Sequence, residues 1–231
     1  MPDRLHTRVS FDADLFALRS GVLAMAELAA LQFRRATRAL LAADLGLAAQ
    51  VMADERELNV LQVSLDAACS RVIARHQPTA IDLREVIGAL HAVGDLERIG
   101  DESKKMATRV ASVGAADDAI LERIAQMAER AARMVDQATV AYRDRDASAA
   151  AALARADDEV DADRDALVAE LATRLAAMHS PVPSRRVEQM FDLILVVQSI
   201  ERVADHAEGF GDYVINVAEG IDPRHGNAPR P

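Results

Sequence analysis

The fold predicted for this sequence is all-α: two tandem three-helix up-down bundles related by internal duplication. Three observations predict it. Aromatic residues make up 3% of 231, Trp is absent, and Ala, Leu, Val, Asp, Glu and Arg dominate, a composition that favours helix over sheet. Apolar residues recur at spacings of three and four through stretches of about 30 residues, which is the period of an amphipathic helix. Finally, one heptapeptide occurs twice, as Asp95-Leu96-Glu97-Arg98-Ile99-Gly100-Asp101 and as Ser199-Ile200-Glu201-Arg202-Val203-Ala204-Asp205.

The elements follow in order. Residues 1–10 read as an N-terminal arm and 11–114 as the first bundle. The first helix runs from about Asp12 to Ala43 on the stripe Leu15, Leu18, Val22, Met25, Ala29, Phe33, Ala36, Leu40. Asp44-Leu45-Gly46 breaks it, and the second helix continues to about Arg75. His76-Gln77-Pro78-Thr79 stops that helix, because Pro cannot continue it. The third, from about Ala80 to Val113, carries the first heptapeptide. Gly114-Ala115-Ala116 marks the boundary to a second bundle over 115–220. There the fourth helix uses Ile120, Ile124, Met127, Ala131, Met134, Ala138 and Tyr142. Asp144-Arg145-Asp146 interrupts, a fifth helix spans Leu153 to Met178, and the break His179-Ser180-Pro181-Val182-Pro183 leads into the sixth. The sixth carries the second heptapeptide and ends near Glu219-Gly220. The Pro-rich stretch 221–231 reads as a disordered tail. Short connections between long helices make sequence neighbours antiparallel.

The duplication extends along the whole motif helix. The ladder Leu193, Val196, Ile200, Val203, Ala207, Phe210, Val214, Val217 repeats 104 positions earlier as Ala89, Ala92, Leu96, Ile99, Ser103, Met106, Val110, Val113. Beside each ladder rides an acid pair one helical turn apart, Glu97/Asp101 and Glu201/Asp205. On the preceding helices Asp157 and Asp161 form another such pair, matched in the first half by Glu55 and Asn59. If neighbouring helices are antiparallel, Asp157 and Asp161 face Glu201 and Asp205 across one groove. Four carboxylates there would suit a hard or borderline cation such as Mg, Mn, Ca or Fe. Glu208 and Asp212 extend the second stripe, whereas the first half has Lys104 and Thr108 at those positions, so its groove is expected to be the weaker one. The plain alternative is a solvated acidic face paired locally with Arg98 and Arg202.

A net charge of −10 argues against nucleic acid as a partner, since that binding needs a basic face. A single Cys69 forms no internal disulfide and fits a reducing compartment. No apolar run approaches the length of a membrane span, so no direct membrane insertion is expected, and a cytoplasmic protein is the default.

The heptapeptide around Glu97 and Asp101 resembles the signature of the PhoU family, and Glu201-Arg202-Val203-Ala204-Asp205-His206-Ala207 is similar to its second copy. His76 to Arg84 is similar to the family's lead-in to the first motif. The resemblance covers about Phe11 to Glu219. It implies a PhoU-like six-helix fold, commonly a homodimer, and a negative regulator of the phosphate-starvation response. It implies contact with the ATPase subunit of a phosphate ABC transporter and with a sensor histidine kinase, and no enzymatic activity. It also implies that Glu/Asp-x-x-x-Asp motifs can hold metal (Fe, Mn, Mg, Zn or Ca), with no organic cofactor. The metal positions carried over are Glu201, Asp205, Asp157, Asp161, Glu97, Asp101 and Glu55. Asn59, and Glu102 where the family often has His, depart from the pattern in the first half.

Two rivals remain. A carboxylate-bridged di-iron enzyme would need Glu-x-x-His pairs, and no Glu here is followed three residues later by His. A metal-free helical adaptor would use the same acids to dock basic partner surfaces.

Overall fold

The computed structural model describes residues 3–114, 116–178, 182–221 and 223, and among these it is helical without strands. The helices are α1 (Asp3–Ala42), α2 (Leu45–His76), α3 (Ala80–Ala107), α4 (Val110–Val113), α5 (Asp118–Asp144), α6 (Ala147–Ala151), α7 (Leu153–Ala176) and α8 (Ser184–Glu219). The all-α reading and the two three-helix bundles hold. Helices α1, α2 and α3 pack pairwise, as do α5, α7 and α8.

The apolar ladders form the interior. In the first half all eight ladder positions from Ala89 to Val113, on α3 and α4, are buried, and in the second all but Val217. The two ladder helices also pack on each other, α3 against α8, and one continuous apolar cluster runs through both bundles. The contact is antiparallel: Gly88 approaches Val217, His91 stacks on Tyr213, Asp95 meets His206, and Gln189 donates to the Ser112 carbonyl.

Local breaks repeat as well. Asp44 caps α2, accepting from the backbone N–H of Gly46 (2.8 Å) and Leu47 (3.0 Å). Asp146, 102 positions on, caps α6 by accepting from Ala149 (3.0 Å). Each follows a residue with left-handed backbone, Ala43 (φ 51°) and Arg145 (φ 55°). A side-chain acceptor at the N-cap satisfies N–H groups that the first helical turn leaves free.

Four boundaries differ from expectation. Helix α1 begins at Asp3 rather than near Asp12, since no Gly or Pro lies between Pro2 and Asp12. Helix α3 ends at Ala107, where Thr108 Oγ1 donates to the Lys105 carbonyl (2.7 Å) and Arg109 N to Met106 O (3.0 Å). These local bonds compete with the helical ladder, and α4 is what remains of the expected run to Val113. The fifth predicted helix is preceded by the short α6, and α7 ends at Ala176 rather than Met178. Ala115, residues 179–181, and the tail residues 222 and 224–231 lie outside the described residues.

Candidate functional site

Two acidic grooves carry the predicted residues, one between α7 and α8 and one between α2 and α3. In the second bundle the structure brings Asp157, Asp161, Glu201 and Asp205 into one electrostatic neighbourhood, together with Glu208. Asp157 carries the largest consequence. Burial first, and then the charges of Glu208, Asp205, Asp161 and Glu201, push its carboxyl up to about 7. Its Oδ1 is buried and accepts no hydrogen bond. Glu201, Asp205 and Glu208 are all raised above the ordinary carboxylate range, each by burial first and then by Asp205 or Asp161. Like charges held together disfavour the ionised form.

Arg202 acts on Glu201 and Asp205 through its charge, and Arg164 makes bonds within the groove. Arg164 donates to Glu201 Oε1 (3.0 Å) and pairs with Asp161 Oδ1 (3.3 Å) and Asp165 Oδ1 (3.1 Å). It reaches Glu201 and Asp161 and leaves Asp157 uncompensated. The expected local partner Arg202 instead points at Glu102 of α3 (3.4 Å). As placed, no group of three or more His, Cys, Asp or Glu side chains among the described residues could hold a metal ion. The donors are oxygen-rich and mutually repelling but not closed round a point.

The first bundle answers the same repulsion internally. Glu55 is 3% exposed. Its carboxylate accepts from Gln32 Nε2 (3.1 Å) and Asn59 Nδ2 (3.3 Å), and Lys104 Nζ stands 3.5 Å from it. Lys104 also lies 3.7 Å from Asp101 Oδ1. Glu97 is raised by burial, then by Asp101 and Glu55, against the pull of Arg98 and Lys104. Lys104 occupies the position of Glu208, and Gln32 that of Met134. The first groove therefore carries its own ammonium and amide where the second has a carboxylate and a thioether. Glu55 and Asp101 of the first groove thus meet an ammonium already in place. The second groove presents an oxygen-only donor set with an unsatisfied buried carboxylate oxygen.

Gln32 went unnoticed in the sequence although it is fully buried on an apolar stripe and ties three helices, donating also to Val51 O and Gly100 O (both 3.3 Å). The polar residue facing Met134 across the duplication was the available signal. Arg164 was missed too, although its place three residues after Asp161 puts it on the same helix face. Glu102 is buried in the α3–α8 contact, bonded to Lys105 (2.8 Å) with Oε2 unpartnered. Its counterpart His206 bonds Asp95 across the same contact (3.0 Å).

Comparison with known proteins gives a consistent result. A family model described as PhoU domain matches twice, over residues 22–110 and 124–214. A phosphate-specific transport system accessory protein PhoU homolog of Pseudomonas aeruginosa is 35% identical over 223 residues, covering 95% of this chain and 90% of its own. The Escherichia coli protein of that name is 28% identical over 221 residues, again covering 95% and 90%. The crystal structure of PhoU from Pseudomonas aeruginosa superimposes with a TM-score of 0.83 at 33% identity, over 91% of this chain and 100% of that one. That of the Streptococcus pneumoniae phosphate transport system regulatory protein PhoU, at 24% identity, has the same fold with a TM-score of 0.83 over 92% and 98%.

Proposed function

This chain belongs to the PhoU family, and on that premise we propose that it is a cytoplasmic regulator that holds down the phosphate-starvation response by docking. Its role lies in the regulation of phosphate transport and is that of an accessory protein, not an enzyme. Its partners in this reading are the ATPase subunit of a phosphate ABC transporter and a sensor histidine kinase, and it acts as a homodimer. The observation that carries the reading is the double match of the family domain, one copy on each bundle. No helix among the described residues is long and apolar enough to cross a membrane, so the transporter is reached by contact. Exposed apolar side chains on the motif helices, Ile87 and Leu90 on α3 and Phe191 and Leu195 on α8, supply surface for such contacts. The test is a pull-down with purified transporter ATPase and kinase cytoplasmic domain. Retention of at least one is expected, and retention of neither overturns the docking role.

The second groove is proposed to take one divalent cation on Asp157, Asp161, Glu201 and Asp205. A bound cation would neutralise carboxylates that otherwise repel, and so link α7 to α8 more tightly. Glu201→Gln with Asp205→Asn is expected to abolish bound Mn2+ in elemental analysis and the thermal shift it produces. Unchanged metal content in that double variant removes the cation from the account. The first groove is expected to stay empty of metal because Lys104 stands in it. Wild type therefore takes one equivalent in calorimetric titration. Lys104→Ala should lower the midpoint of thermal unfolding at pH 8, where Glu55 and Asp101 lose their ammonium; an unchanged midpoint would show that Lys104 does not relieve the repulsion in this groove.

A further inference from the structure

A cleft of about 360 Å3 lies where the two bundles meet, between the start of α1, the start of α3, the end of α5 and the end of α8. It shares no lining residue with either acidic groove. Its walls are mainly apolar, with Leu23, Val214 and Val217 inside and Phe16, 68% exposed, at the rim. The volume falls in the range of small-molecule sites.

Into this apolar space the chain places an unusual polar set. Glu85 is buried and clamped by two arginines. Arg19 reaches both of its oxygens, with Nη2 2.6 Å from Oε2, and Arg145 Nη2 lies 3.0 Å from each. Arg143, bonded to Asp144 (2.8 and 3.0 Å), is a third arginine in the lining. The Tyr142 hydroxyl is buried and has no hydrogen-bond partner. A buried polar group without a partner is costly, and here it stands in the field of Glu85 and Arg19.

The duplication shows that the fold does not require this set. At the opposite end of the molecule the counterparts of Tyr142, Arg19, Glu85 and Arg145 are Leu40, Leu121, Gln189 and Ala43. There the space is smaller, about 250 Å3 beside Arg185, Arg186 and Gln189. A Cβ added to Gly114 would stand 3.0 Å from the Ala43 Cα, and Gln189 is used by the Ser112 carbonyl (3.1 Å). One end of a repeated scaffold carries a clamped carboxylate and a tyrosine where the other carries an amide and aliphatic side chains.

We propose that this cleft binds a single-chain amphiphile with an anionic head, its tail among Leu23, Val214 and Val217 and its head accepting from Tyr142 and the arginines. With Arg143 paired to Asp144, Arg19 and Arg145 against the single Glu85 carboxylate leave one positive charge in excess, which favours the anion, and the apolar walls favour a short hydrocarbon tail. A carboxylate and a phosphate head share this chemistry. The proposal is independent of the partners and the cation proposed above.

Both tyrosines of the chain, Tyr142 and Tyr213, line the cleft, and there is no Trp, so tyrosine emission reports on it directly. Full-length protein is titrated with decanoate, decyl phosphate and decanol below their aggregation limits, followed by emission and calorimetry. A saturable 1:1 response is expected for at least one of the two anions, with decanol at least tenfold weaker; the better anion identifies the head. Tyr142→Phe should keep or raise the Tm while weakening that anion about fivefold, and Ala218→Phe at the mouth should abolish the response. No saturable response to either anion, equal binding of decanol, or unchanged affinity in both variants overturns the proposal.

Discussion

Asp157→Asn is expected to raise the midpoint of thermal unfolding by about 3–6 °C at pH 8, equivalent to roughly 1–2 kcal/mol in a chain of this size, and to leave it unchanged near pH 4. The sign follows from linkage. The folded-state carboxyl sits at about 7, above the value of about 3.9 for an unfolded Asp. Between those two values the native state holds a proton that the unfolded chain has released. Stability from this group is therefore complete below about pH 4 and is lost as the pH rises through 7. Asn keeps the shape and removes the charge, so the variant gains where the wild type loses. The same substitution deletes a proposed cation ligand, and the Mn2+-induced thermal shift of the wild type, which grows from pH 6 to pH 8 as the proton leaves, should disappear. Differential scanning calorimetry at several pH values, with and without Mn2+, reads both effects. A variant no more stable than wild type at pH 8 would mean that Asp157 is not held against its neighbours' charge.

Gly100→Val should act in the opposite direction, with a loss of about 3 kcal/mol and a midpoint lower by about 6–12 °C. Gly100 is the small residue of the first heptapeptide. A Cβ there would run into Leu58 Cδ2 and lie 2.9 Å from Gln32 Oε1 and 3.0 Å from Glu55 Oε2. Leu58 can yield a little. The Gln32–Glu55 pair cannot move without unmaking the hydrogen bonds that satisfy a buried carboxylate and the Gly100 carbonyl. The control is Gly94→Ala in the same helix, where nothing lies within 4 Å of the added carbon. That change should stabilise by about 0.5–1 kcal/mol, the ordinary gain of Ala over Gly in a helix. Urea unfolding of the two variants side by side separates crowding from helix propensity. If Gly100→Val matched Gly94→Ala, the close approach of α2 to α3 at this point would be refuted.

These two positions also mark what the sequence could and could not convey. Burial along α3 and α8 was legible because a ladder at spacings of three and four has one interpretation over eight positions, and Val196, Ile200 and Val203 are all fully buried. The duplication was legible because the heptapeptide anchors an offset of 104, and the caps Asp44 and Asp146 fall 102 apart, within two residues of it. Pairing across helices was much less so. Arg202 was expected beside Glu201 and lies instead against Glu102 of the other bundle, because the α3–α8 contact brings the two motif helices closer than any local spacing reveals. Arg164 and Gln32 act through partners 37 and 23 residues away, so only the folded chain shows which carboxylates they bond. The cleft at Tyr142 has no motif at all. It arises from four helices whose relevant residues run from Phe16 to Ala218.

The antiparallel seam between α3 and α8 has a broader implication. Residues 104 positions apart trade places across it, so the two halves of the polypeptide are related much as two identical subunits are related by a dyad. An ancestral unit of half this length would have found its mate in another copy of itself. Within one polypeptide neither half has to remain the same as the other. Lys104 facing Glu208 across the repeat, and Leu40 facing Tyr142, are differences that a symmetric pair could never have acquired.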